Sequence, residues 1–177
     1  MRHDELKLIG HYFTTVAIVL LAMFSSAPGQ DAPGNKKPRS LSDYQSRTLK
    51  EILALKPDAD DLRDRDGEIV TTRDVLPSRV NLSYGGSIRL LPGSKKEVIR
   101  QWARRYAGSM EHYTEPYQTE MLFIENGVRY WLATPKGFAF FKREPKKGTR
   151  WNIYLIRLGA TVKEDNYDWT LLVESVK

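Results

Sequence analysis

Asn126-Gly127 stands between two runs rich in aromatic and aliphatic residues, Tyr117–Glu125 and Val128–Thr134. An Asn-Gly pair supplies the two positive φ angles of a type I′ turn, so the two runs are expected to form a hairpin. That register sets Phe123 opposite Tyr130 and Met121 opposite Leu132 on one face. On the other face Leu122 lies opposite Trp131. A strand pair that is apolar on both faces needs cover on both. A sheet curled around a core, with a helix packed outside it, provides that cover.

Other segments fit around this hairpin. Leu41, Tyr44, Leu49, Ile52 and Leu53 form an apolar stripe, predicting a helix over 41–55 that starts at a Ser42/Gln45 capping box and stops before Pro57. Val80, Leu82 and Tyr84 alternate with polar residues. A turn at Gly85-Gly86-Ser87 is expected to return the chain with Tyr84 opposite Ile88 and Leu82 opposite Leu90. Ser94-Lys95-Lys96-Glu97 reads as a second capping box. It opens a helix whose buried face holds Val98, Ile99, Trp102 and Tyr106, with Gly108 as the C-terminal cap. Strands are expected at Trp151–Leu158 and Trp169–Val176, joined by the polar stretch 163–168. Gly137–Phe141 is a short apolar segment, strand or turn of helix. The fold expected is α+β: a curled antiparallel sheet or small barrel, OB-like or SH3-like in size, with one packed helix and an N-terminal helix. Gly159 is a candidate bend. Trp102, Leu122, Phe123, Tyr130, Trp131, Ile153 and Leu155 are the expected core.

Ahead of this domain the pattern changes. Arg2 and Lys7 precede a run from Tyr12 to Phe24 without formal charge, and Ser25–Gly29 are small or helix-breaking residues. A basic start, a short apolar centre and a small-residue exit are the layout of a secretory signal peptide. Residues 1–29 are therefore expected to direct export to the periplasm or the medium, with cleavage before Gln30. Retention as an uncleaved membrane anchor is the alternative. Residues 30–40, a polar stretch broken by Pro33, Gly34 and Pro38, read as a flexible linker. Residues 41–177 then form one domain, a usual size for a single core.

The inventory of reactive groups is short. Cysteine is absent, which removes disulfides and thiolate chemistry. His112 is the one histidine after the export segment, and its polar surroundings read as a surface loop. No serine stands in a nucleophile elbow, and neither a phosphate loop nor a dinucleotide fingerprint is present. The acidic stretch 58–68 resembles a calcium loop only in part. With Gly67 at the sixth position, Asp64 and Asp66 fall on ligand positions, but Leu62 and Arg73 occupy the first and twelfth. A solvated acidic turn is expected there, and neither a metal nor a cofactor. Paired carboxylates remain. Glu111, Glu115 and Glu120 are close in sequence, and Glu120 shares a strand face with Leu122 and Ile124. A carboxylate on an apolar face is placed as a general acid, or as a partner for Arg129 or Arg157.

Charge suggests a partner. Lys and Arg total 28 against 22 acids, a formal charge of +6. Basic and aromatic residues cluster at Phe140, Lys142, Arg143, Lys146, Lys147, Arg150 and Trp151, and these are the candidate ligand-binding residues. The reading is an exported, cofactor-free binding or scaffolding domain of the cell envelope, with an anionic polymer, a lipid surface or a protein as partner. Two rivals stand beside it: a hydrolase or lyase dependent on Glu120, and a nucleic-acid-binding small barrel. Export argues against the second, because it separates the domain from cytoplasmic nucleic acid.

Overall fold

The Asn126-Gly127 turn forms as its sequence dictates, with φ of 50° and 83°. The computed structural model describes residues 39–57, 61–64, 68–108, 111–136, 145–164 and 166–177. In chain order the elements are a 3₁₀ turn at Leu41–Asp43, β1 (Gln45–Ser46), α1 (Leu49–Ala54), β2 (Leu62–Arg63), β3 (Ile69–Thr71) and β4 (Ser78–Leu90). There follow α2 (Gly93–Trp102), a π-helical turn at Ala103–Ala107, α3 (Glu111–Thr114), β5 (Tyr117–Glu125), β6 (Val128–Pro135), β7 (Arg150–Lys163) and β8 (Asn166–Val176). The signal-peptide and linker expectations for residues 1–38, and the segment 137–144, lie outside the described residues. Among the described residues, no helix is long and apolar enough to cross a membrane.

Five strands close into a barrel in the order β4-β5-β6-β8-β7, with β7 returning to β4. All contacts around the ring are antiparallel except β6–β8, which is parallel. The hairpin register matches expectation, with Phe123 opposite Tyr130, Met121 opposite Leu132 and Leu122 opposite Trp131. The later part of β7 leaves the barrel wall and pairs with β3, which pairs with β2.

Two cores result. Inside the barrel, Val80, Leu82, Met121, Phe123, Leu132, Ile153, Leu155, Leu171 and Val173 pack with Leu49 and Ile52 of α1. Outside it, Ile99, Trp102 and Ala103 cover Ala133, Ile156, Leu158 and Leu172. Strand alternation explains the division: Leu171 and Val173 point in, and Leu172 points out. Two buried charges hold the ends of α1. Glu125 accepts the Leu49 amide at 2.9 Å, and Arg157 donates to the Leu55 carbonyl at 2.8 Å.

Several expectations are corrected. Gly85-Gly86-Ser87 is not a turn. β4 runs through it as one strand with a bulge between Tyr84 and Ile88, and pairs with β7 from Ser78 to Ser83 and with β5 from Ser83 onward. The glycines serve the bulge: Gly86 has φ +84°, and a Cβ on Gly85 would lie 2.6 Å from Leu122 Cγ. The helix expected over 41–55 is only α1. Thr48 and Glu51 form its capping box, at 3.2 and 2.7 Å, so the helix starts inside the expected span. Tyr44 is instead extended, with its ring edge-on to Tyr154 at 5.3 Å. α2 starts at Gly93 with Pro92 as its cap, not at Ser94, although Gly108 does close the following turn with φ 70°. The 163–168 connection is mostly strand, with Lys163 paired to Asn166. Tyr130 and Trp131 are half-buried rather than core. Gly159 does mark a bulge, where the Val70 carbonyl passes 2.2 Å from the position of an added Cβ.

Candidate binding face

The outer wall of the barrel carries one cross-strand row over four strands. Arg150 on β7 pairs with Ser83 on β4, Ser83 with Ile124 on β5, and Ile124 with Arg129 on β6. At about 4.8 Å per strand step, the two arginines stand roughly 14 Å apart along the wall. Arg79 lies on the same side of β4, beyond the Asn81–Asn152 pair, whose amides bond at 3.2 Å. Lys147 lays its stem over Gly86, which has no side chain to exclude it. The connection carrying it is tied to β4, with Gly148 N donating to Tyr84 O at 2.8 Å and Tyr84 N to Thr149 O at 2.9 Å.

Arg79, Arg129, Lys146, Lys147 and Arg150 are all exposed. None of the five forms an ion pair with a described residue. Exposed cations that have no ion-pair partner among the described residues raise the local positive potential.

Next to this row the charges behave differently. Glu120 is fully buried, 0% exposed, on the outer face of β5. Arg89 of β4 donates from Nε to its Oε2 at 2.8 Å and also reaches it through Nη2 at 2.6 Å. Lys95 of α2, with its side chain 6% exposed, holds Oε1 at 2.8 Å and lies 3.4 Å from Asp168. The Arg89 guanidinium lies 4.1 Å above the Trp131 ring. Both oxygens of Glu120 are thus taken by cations, from Arg89 and Lys95 rather than the expected Arg129 or Arg157. It is a structural anchor joining β4, β5 and α2, and has no oxygen open to a substrate.

Of the residues proposed from sequence, Phe140, Lys142 and Arg143 lie outside the described residues. Arg150 stands on the outer wall, while Lys146 and Lys147 are exposed on the connection before β7, Lys147 with its stem over Gly86. Trp151 does not join them: it packs inside against Tyr84, ring centroids 6.2 Å apart, because neighbours on a strand point to opposite faces. His112 is exposed on α3 against the Tyr113 ring. In the acidic stretch, Asp64 accepts the Ile69 amide and Asp61 the Arg73 amide, so both serve local turns. Arg79 and Arg129 were missed as site residues. Each occupies an outward position of an alternating strand, a local signal, but their convergence depends on strand pairing. No protein-family model matches the chain, and comparison with curated proteins and with solved structures gives no match.

Proposed function

We propose that this chain is an exported envelope domain whose barrel wall binds an extended anionic polymer. The observation that carries the reading is Arg79, Arg129 and Arg150, exposed on one wall with no ion pair to a described residue, with Lys146 and Lys147 exposed on the connection before β7. Arginine presents a planar fork that matches phosphate, sulfate and carboxylate groups, and an extended polymer can meet Arg129 and Arg150 together. Their separation exceeds the screening length of about 10 Å at 0.1 M salt, so each should contribute nearly independently.

The strand order supports the same wall. With β4 to β8 counted as strands one to five, the ring reads 1-2-3-5-4 with 4 returning to 1 and 3 parallel to 5. This is OB-like order rather than the meander of an SH3-like barrel. OB barrels bind oligonucleotides and oligosaccharides on the face of their second and third strands, here β5 and β6. Fold likeness alone assigns no function, so the charge pattern carries the argument. A nucleic-acid reading is less well supported, because base stacking needs open aromatic faces. Trp131 is covered by Arg89 and Trp151 points inward.

The test is binding to polyphosphate and dextran sulfate, with anionic lipid vesicles and oligothymidylate as comparison ligands. Arg129→Glu with Arg150→Glu should weaken polymer binding by roughly tenfold at 0.1 M salt while the fold is kept. Lys50→Glu with Lys56→Glu, the same charge change at exposed sites on and just beyond α1, should weaken it much less. Equal losses would reduce the reading to net charge. Tighter binding to oligothymidylate or vesicles would pass it to the rival partners. Export is tested separately by intact mass, where loss of residues 1–29 is expected and a full-length membrane product supports the anchor.

A further inference from the structure

Among the described residues, the second half of β4 ends in an open edge. Leu91 donates to Gln118 O of β5 at 2.9 Å. Alternate residues of an antiparallel strand bond to the same neighbour, so Arg89 and Leu91 face β5. Ile88 and Leu90 therefore direct their N–H and C=O groups to the opposite side. That side is occupied at Tyr84 by Gly148 and Thr149. Gly148, at φ +85°, lies where the chain turns off it. Beyond that point no described strand pairs with the edge. The side chains are open too: Ile88 is 42% exposed and Leu90 77%. Unpaired strand edges carrying apolar side chains recruit another strand, and folds usually hide or charge them.

We propose that the Ser87–Leu90 edge of β4 is a docking site for an extended acidic peptide of a partner protein, added as a strand antiparallel or parallel to β4. Main-chain bonds to Ile88 and Leu90 would hold it, and its alternate apolar residues would cover the two exposed side chains. Charge selects the occupant. Lys147 lies over Gly86 at one end of the edge, and exposed Lys146 precedes it in the chain, while Arg89 is already held by Glu120. A second copy of this chain would bring the same cations together at a net charge of +6, so self-pairing is disfavoured. The site shares Lys146 and Lys147 with the polymer-binding reading but otherwise uses main-chain groups and apolar side chains of β4, so Arg129 and Arg150 take no part in it.

The probe is a fluorescein-labelled hexapeptide of alternating Asp and Val, with labelled hexa-aspartate as the charge control, followed by anisotropy on the full chain. The alternating peptide should bind weakly, with Kd of order 0.1 mM, and hexa-aspartate at least tenfold more weakly. Leu90→Pro removes an outward N–H that β4 does not use within the sheet, and should abolish binding while circular dichroism is unchanged. Should that variant fail to fold, Leu90→Asp at the same exposed site should weaken binding at least tenfold by apolar loss and repulsion. The Ile88 and Leu90 amides should gain hydrogen-exchange protection on binding, while Arg129→Glu with Arg150→Glu leaves it nearly intact. Equal binding of hexa-aspartate, unchanged binding by both Leu90 variants, or unprotected amides would overturn the proposal. A concentration-dependent dimer lost in Leu90→Asp would overturn it in favour of a second copy.

Discussion

Arg89 lies 4.1 Å above the indole of Trp131 while its Nε and Nη2 grip Glu120. One side chain thus ties an outer-wall aromatic to the deepest carboxylate of β5, and Lys95 of α2 closes the cluster from the other side. The arrangement places charge where burial is complete, so its parts are worth testing one at a time.

Removing Glu120 should be costly. Glu120→Ala leaves Lys95 buried with only the 3.4 Å contact to Asp168. An unpaired buried charge typically costs about 3–5 kcal/mol. Lys95→Met should cost less, because Glu120 keeps Arg89, which is 45% exposed and well solvated. Urea titration of both variants checks the order; equal losses would mean that the cluster does not depend on Glu120.

The two faces of the hairpin should differ in their sensitivity. Phe123 is fully buried inside the barrel, and Phe123→Ala should cost about 3–5 kcal/mol. Trp131, half-buried under Arg89, should cost about 1–2 kcal/mol on replacement by Ala, the scale of one partly solvated cation–π contact and some lost area. Denaturant midpoints that put Trp131 at or above Phe123 would contradict this placement.

Two glycines should resist a methyl group for different reasons. Gly85→Ala sets its Cβ against the Leu122 side chain, which can shift, at a cost of about 1–3 kcal/mol. Gly159→Ala sets it 2.2 Å from the Val70 carbonyl, backbone that cannot shift without breaking the β3–β7 pairing. Its loss should exceed that of Gly85→Ala, and thermal melts of the two variants would decide.

Alkaline pH should weaken the fold. Burial first, then the Glu174 carboxylate, pushes the Tyr44 and Tyr117 phenols well above the ordinary tyrosine range. Tyr44 also donates to Glu174 at 2.5 Å, and Tyr117 to the Val173 carbonyl at 3.0 Å. A group whose pKa is higher folded than unfolded stabilises fully below its unfolded value, about 10 for tyrosine, and that stability falls as pH rises above it. Phenolate absorbance should therefore show a slow class of tyrosines that ionise only on unfolding. Tyr117→Phe should remove one member of that class; an unchanged titration would argue against its burial.

The Asn126-Gly127 hairpin and its register, the buried Val98, Ile99 and Trp102 of α2 and the left-handed Gly108 cap were legible in the chain, because each depends on residues near one another, while Tyr106 of the same expected face is only half-buried. The sequence also contained a signal at Thr48–Glu51 that marks the true start of α1, although the wider apolar stripe points to an earlier one. Gly85-Gly86 reads equally well as a turn or as a bulge. Only Leu122 packed against Gly85, and β7 paired along the first half of β4, decide for the bulge. The same holds for charge. Arg79, Arg129 and Arg150 are far apart in sequence, and they share a wall because barrel closure brings four strands into one row. Trp151 follows Arg150 directly, yet the strand's alternation sends it to the opposite side. Contacts between distant segments have no local signature, so the arginine wall, the buried Glu120 cluster and the β4 edge left open among the described residues depend on tertiary structure alone.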